Sequence, residues 1–182
     1  MKLMPRDEKI VSFIKAVKCA DAESISTIFF NGSLRSCQKR LKILTDCGYI
    51  NRWRKDHWSS YVYYIKSKPK QIEHNVHLAK LIAKLKVDGN EILKIKGATK
   101  IGDVITDGIV AYKKYDKIKI CVVEIEKHFR IETINKYVTL YKDGSYKQYG
   151  FKSFPTVLLI CGRNINTDSI PFELIQYKFK DI

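Results

Sequence analysis

Three carboxylates, Asp107, Glu124 and Glu126, have the types and spacing that could support chemistry. Glu124 and Glu126 lie two apart in Val123-Glu124-Ile125-Glu126-Lys127, so on a strand they emerge on one face. Asp107 opens another strand-like run, in Thr106-Asp107-Gly108, and an adjacent strand brings it to them. Such a cluster binds Mg²⁺ or Mn²⁺, with Asp107 and Glu124 as first ligands, and the metal polarises a phosphodiester and activates water. A cation beside the attacking water completes that chemistry, and Lys127 and Lys136 are the candidates. The plainer reading of the same acids is surface ion pairing in a lysine-rich chain, worth ~0–1 kcal/mol per pair. His128 stands near enough in sequence to serve as a general base. His74 and His77, three apart on a predicted helix, lack a third ligand at metal spacing and read as structural.

A second constellation runs from Ser33 to Lys66. Leu34, Cys37, Leu41 and Leu44 recur at helical spacing between a Ser33 N-cap and a Gly48 stop, which makes one side of the helix core. The other side carries Arg35, Gln38, Lys39 and Lys42, long side chains able to reach base edges and phosphates from a helix in the major groove. Tyr49–Arg54 and Ser60–Lys66 then alternate as two strands of a hairpin, where Arg52, Arg54 and Lys55 would meet the backbone. From Ser33 to Lys55 there are seven Lys or Arg against one acid, Asp46. Trp53, Trp58, Tyr61, Tyr63 and Tyr64 interleave with these cations, either to stack on bases or to pack across the hairpin.

The elements that position both groups follow from periodicity. Arg6–Ala20 predicts a helix with Ile10, Phe13, Ile14 and Val17 inward and Asp7 and Glu8 in the first turn, where the helix dipole favours acids. Asp21 caps a short helix over Ala22–Phe29. Helix, helix, helix, hairpin is the winged helix-turn-helix order, and Pro69 among lysines marks its end. Beyond it, a helix at Gln71–Lys86 leads into strands at Glu91–Lys96, Val104–Tyr112 and Lys117–Glu126. A helix at Arg130–Leu140, a buried strand at Thr156–Cys161 and a last strand at Glu173–Phe179 complete the chain.

The expected fold is therefore α/β in the α+β sense: a winged helix-turn-helix over 1–68 and a small αβββαβ domain over 69–182. The 182 residues, 45% hydrophobic, suffice for two cores, and a net charge of +15 points to a polyanionic partner. Five cysteines without a CxxC pair read as reduced thiols of a cytoplasmic protein. No secretory segment or membrane span is expected from the apolar runs.

The element order and the Asp107, Glu124 spacing resemble the PD-(D/E)XK nuclease superfamily, whose fold is restriction-endonuclease-like. Here Thr106 stands in place of the family proline and Glu126 in place of the family lysine. Over nearly the whole chain, the winged helix, His74-Asn75-Val76-His77-Leu78-Ala79, Asp107-Gly108, Val123-Glu124-Ile125-Glu126, and Lys136-Tyr137 with Tyr141 are similar to the replication-relaxation proteins of plasmids, phages and conjugative elements. That resemblance implies a DNA-binding protein in replication, mobilisation or regulation of a mobile element. The winged helix itself points to double-stranded DNA, bound as a dimer on paired half-sites and with no cofactor required for binding. Two alternatives stand beside it. One is an endonuclease or nickase that uses Asp107, Glu124, Glu126 and Lys127 with Mg²⁺ or Mn²⁺, and the other is a docking adaptor for a replication or transfer enzyme.

Overall fold

The computed structural model describes residues 2–182. The chain forms two compact units, one ending at Asn90 and the other spanning Glu91–Ile182.

In the first unit, α1 (Pro5–Val17) starts on a proline at a position where its missing N–H removes no helix bond. Asp7 accepts the Met4 backbone N–H at 2.8 Å, and Ile10, Phe13, Ile14 and Val17 are buried as the periodicity predicts. The helix is shorter than the predicted 6–20, because Lys18 turns to φ 72° and Cys19–Asp21 become a strand, β1. Only a distant partner decides this: β1 pairs antiparallel with β3 (Val62–Tyr64), with Cys19 opposite Tyr64. Asp21 then caps α2 (Ala22–Phe29), its carboxylate accepting the Ser24 N–H at 2.8 Å.

Cys37, Leu41 and Leu44 anchor α3 (Leu34–Asp46), which ends at Gly48 with φ 76°, where the Tyr49 N–H reaches the Leu44 carbonyl at 2.9 Å. Two details differ from expectation. Leu34 is exposed at the open end of the helix, and the Ser33 hydroxyl donates to Ser36 Oγ at 2.9 Å instead of accepting a helix N–H. Strand β2 (Asn51–Trp53) joins β3, giving the sheet order β1-β3-β2. Both wing strands are shorter than predicted, and the residues between them form an ordered tip. This is a winged helix-turn-helix with the small strand between α1 and α2 in place.

The helix expected to open the second domain, α4 (Ile72–Val87), packs instead on α1, α2 and β1, burying Leu78, Leu81, Ile82 and Leu85. The lysine-proline stretch at 66–70 is therefore a connection inside the first unit, not the boundary between units.

The second unit is built on β4 (Glu91–Ile101), β5 (Val104–Lys114) and β6 (Lys117–Glu126), an antiparallel meander. Its second turn places both central residues, Tyr115 and Asp116, at positive φ, the conformation that matches strand twist in two-residue hairpins. Helix α5 (Ile131–Lys142) carries the chain to β7 (Thr156–Cys161), parallel to β6 and buried throughout, and β8 (Leu174–Tyr177) adds in parallel. The sheet order is β4-β5-β6-β7-β8. A meander, a crossing helix and two parallel strands give the mixed α/β sheet expected from the sequence, without the helix expected to open it. Ile101, Val104, Val122, Tyr137, Leu140 and Val157 form its core under α5. Among the described residues, no helix is long and apolar enough to cross a membrane.

The first unit depends on an ion pair between α1 and α3. Asp7 is fully buried and receives a two-pronged contact from Arg40, Nε at 2.8 Å to Oδ1 and a second nitrogen to Oδ2. The Arg40 hydrogen bond holds the Asp7 carboxyl below the usual aspartate range despite its burial. Removing one partner leaves a buried charge, so Arg40→Ala should cost on the order of 3 kcal/mol, read as a lower melting temperature. Because the folded pKa is depressed, the contribution is present above the unfolded value and lost as pH falls through the folded one. The acid limb of a pH–stability curve should therefore flatten in Arg40→Ala.

Candidate functional site

The outward face of α3 is assembled as the spacing predicts. Arg35, Gln38, Lys39 and Lys42 are all exposed, at intervals of three and four residues that place them on one side over about 10 Å of helix. Arg40, between them in sequence, points the other way to Asp7. The helix thus has one cation for the fold and several groups left toward solvent.

The wing is more ordered than a charged loop. Arg52 and Arg54 lie on the Tyr61 ring, at 4.5 and 4.8 Å from its centroid, and Lys68 lies 4.3 Å from the centroid of Trp53. Arg54 also donates to the His57 carbonyl at 3.3 Å, while Lys55 is exposed at the tip. Tyr63 is core, and Trp58 stands in solvent.

In the second unit the acids come together on β5 and β6. The main-chain ladder between these strands ends at Gly108 opposite Val123. Beyond it, side chains take over: Asp107 accepts the Ile125 N–H at 2.8 Å, and the Thr106 hydroxyl bonds the Val123 carbonyl and the Gly108 N–H, both at 3.0 Å. Glu124 is 5% exposed and accepts the hydroxyl of Tyr137, itself fully buried on α5. Glu126 accepts the Arg130 N–H at 2.8 Å and the Thr133 hydroxyl, which fixes a carboxylate at the start of α5 where the helix dipole favours it. The match is one of periods. Two residues of strand advance about 6.6 Å and four of helix about 6 Å, so Glu124 and Glu126 meet Tyr137 and Thr133 in turn.

Burial pushes the Glu124 carboxyl up to about 8, against the Tyr137 hydrogen bond that lowers it, with Asp107 and Glu126 adding to the rise. Burial, with Glu124 beside it, raises the Tyr137 hydroxyl well above the ordinary phenol range. Lys136 also acts on Glu124, in the lowering direction. Of the two lysines considered for catalysis, Lys136 is therefore the one whose charge is felt at Glu124, and Lys127 lies exposed just past β6. His128 is exposed as well, and the His77 Nδ1 contacts the Glu73 carbonyl at 2.8 Å, a bond within α4.

A divalent cation at this cluster would share its carboxylates with bonds that the fold already makes. Both Glu126 oxygens hold the start of α5, Glu124 Oε1 accepts a hydrogen bond from the Tyr137 hydroxyl, and Asp107 Oδ2 accepts the Ile125 N–H. Among the described residues, no group of three or more His, Cys, Asp or Glu is placed to hold a metal ion. The Mg²⁺ or Mn²⁺ centre expected from the sequence would draw on carboxylates that each already make a bond within the fold. The roles of Tyr137, Thr133 and Arg40 were not anticipated, although the helix and strand periods that pair Tyr137 and Thr133 with the two glutamates are written in the sequence.

No family profile and no curated protein matches the chain. Among solved structures, it is similar to a repair endonuclease from Pyrococcus abyssi, at 17% identity and a TM-score of 0.40, over 65% of this chain and 52% of that one. It is also similar to EndoMS in a complex with double-stranded DNA, at 15% identity and a TM-score of 0.37, over 66% of this chain and 52% of that one. The chain thus spans about half the length of either structure.

Glu124 gives a pH signature. Its folded pKa lies above the unfolded value of 4.5, so stability is full below about 4.5 and falls as pH rises toward about 8. Glu124→Gln keeps an acceptor for Tyr137 and removes the ionisable group. The variant should match the native protein at pH 5 and exceed it above pH 8 by a few kcal/mol at most, measured by denaturant melts across pH. Equal pH dependence in the two proteins would contradict the burial argument.

Proposed function

We propose that the protein binds double-stranded DNA through its winged helix, and that the acids of the second unit hold that unit together and do not cut. The observation that carries this reading is the exposed row Arg35, Gln38, Lys39 and Lys42 on α3, with Arg40 turned inward and no acid among them. A helix with this outer face suits the major groove, where Arg35 and Gln38 read base edges and Lys39 and Lys42 hold phosphates. Arg52, Arg54 and Lys55 extend the cationic surface along the wing. The net charge of +15 supports the same partner through counterion release. The resemblance to replication-relaxation proteins gives this binding a setting, namely replication, mobilisation or transcriptional control of a mobile element, with a dimer on paired half-sites.

The test is a titration of the purified protein against DNA from its own genetic neighbourhood, across salt concentration, with Mg²⁺, Mn²⁺ or EDTA. Binding should weaken steeply with salt in every metal condition, with no strand breakage. Lys39→Ala should lower affinity for all sequences and reduce the slope of log K against log salt by about 1, whereas Arg35→Ala should cost about 1–3 kcal/mol and relax sequence preference. Metal-dependent breakage that disappears in Asp107→Ala would refute the non-catalytic assignment. Absence of salt-sensitive binding would refute the DNA-binding one.

A further inference from the structure

The wing tip carries one aromatic ring that the fold does not use. Tyr61 is covered by Arg52 and Arg54, Trp53 by Lys68, and Tyr63 is buried in the first unit. Trp58 alone is left open, at 97% exposure. Indoles are costly to leave in water and are normally well buried, so full exposure of the largest side chain is an observation that needs a use.

The backbone beneath it is also fixed. One carboxylate oxygen of Asp56 accepts the Trp58 N–H at 3.0 Å, the Ser59 N–H at 2.7 Å and the Ser59 hydroxyl at 2.7 Å. Arg54 meets the His57 carbonyl at 3.3 Å and the His57 ring Nδ1 at 3.0 Å. The turn is therefore closed by its own polar groups, and its outermost point is an indole. Lys55 is exposed beside it, and Arg52 and Arg54 follow along β2 and its end. A flat apolar ring on a braced turn among cations is complementary to a polyanion with apolar faces inside, which is what a base stack is.

We propose that Trp58 is a wedge that enters the DNA groove next to the one occupied by α3 and inserts at a base step, partly unstacking it. This rests on the DNA-binding reading above and adds to it a deformation of the duplex. Sequence preference at that step then comes from how readily it opens, with pyrimidine–purine steps favoured, and not from hydrogen bonds to base edges. Lys55, with Arg52 and Arg54 behind it, holds phosphates beside the opened step, and the Asp56 turn keeps the ring from folding back onto the hairpin.

The experiment uses the full chain and a set of duplexes with 2-aminopurine placed in turn at each position of the bound site. Binding is followed by anisotropy and unstacking by 2-aminopurine emission. The native protein should raise emission at one step per wing. Trp58→Ala should abolish that rise and weaken binding between about fivefold and a hundredfold, the range for loss of one base–aromatic stack. Trp58→Phe should keep most of both. Because Trp58 makes no core contact, Trp58→Ala should melt at the native temperature, so a loss of binding is not a loss of fold.

Native binding with flat emission at every position would overturn the wedge while leaving the DNA-binding reading intact. So would unchanged affinity in Trp58→Ala, or a change of that variant from dimer to monomer, which would assign the indole to self-association. A native protein that fails to shift any duplex would overturn both readings.

Discussion

A carboxylate with no access to water must be neutralised inside the fold, and Asp7 is neutralised from α3 by Arg40. That contact sets the orientation of the helix that faces outward. Because a guanidinium fork meets a carboxylate in one plane, it restrains the rotation of α3 about its own axis as well as its distance from α1. With Cys37, Leu41 and Leu44 on the same side, the helix has one way to sit, and Arg35, Gln38, Lys39 and Lys42 are left toward solvent. The small sheet serves the same end. Pairing of β1 with β3 ties the wing to the connection between α1 and α2, so wing and helix are presented from a common base.

The second unit solves a similar problem in the opposite way. Glu124 is also buried, yet among the described residues no cation makes a direct contact with it comparable to that of Arg40 with Asp7. Its neighbours are Tyr137, which donates a hydrogen bond, and two further acids that raise its affinity for a proton. The result is a carboxyl kept near neutrality by its surroundings. Glu126 is drawn to the start of α5, and Asp107 and Thr106 finish a strand ladder that the backbone leaves open. The three acids singled out in the sequence thus each make a different bond within the fold, on adjacent strands. A mixed α/β sheet does not by itself assign an activity, since activity belongs to the groups placed on a fold.

Much of this was legible in the sequence, and the gaps have physical causes. The outer face of α3, the Gly48 stop, the Asp21 cap and the strands at 117–126 and 156–161 depend on local periodicity and turn chemistry, which a sequence carries directly. Strand β1 is not visible locally, because Cys19-Ala20-Asp21 continues an apolar pattern and only pairing with Val62–Tyr64 makes it extended. The apolar residues of the helix at 72–87 tell that it is buried, not that its neighbours are α1, α2 and β1. Nothing local distinguishes Arg40 from its cationic neighbours, because its partner Asp7 lies thirty-three residues away. The acids were placed correctly on their strands, but their partners come from α5, a tertiary contact that spacing within the strands does not contain.

The most direct measurement of the central claim is hydrogen exchange of the full chain with and without a bound duplex, read at residue resolution. The account predicts new protection over residues 34–46 and 51–64, with the rest of the chain unchanged. Protection confined to residues 91–182, with α3 and the wing exchanging as in the free protein, would contradict it.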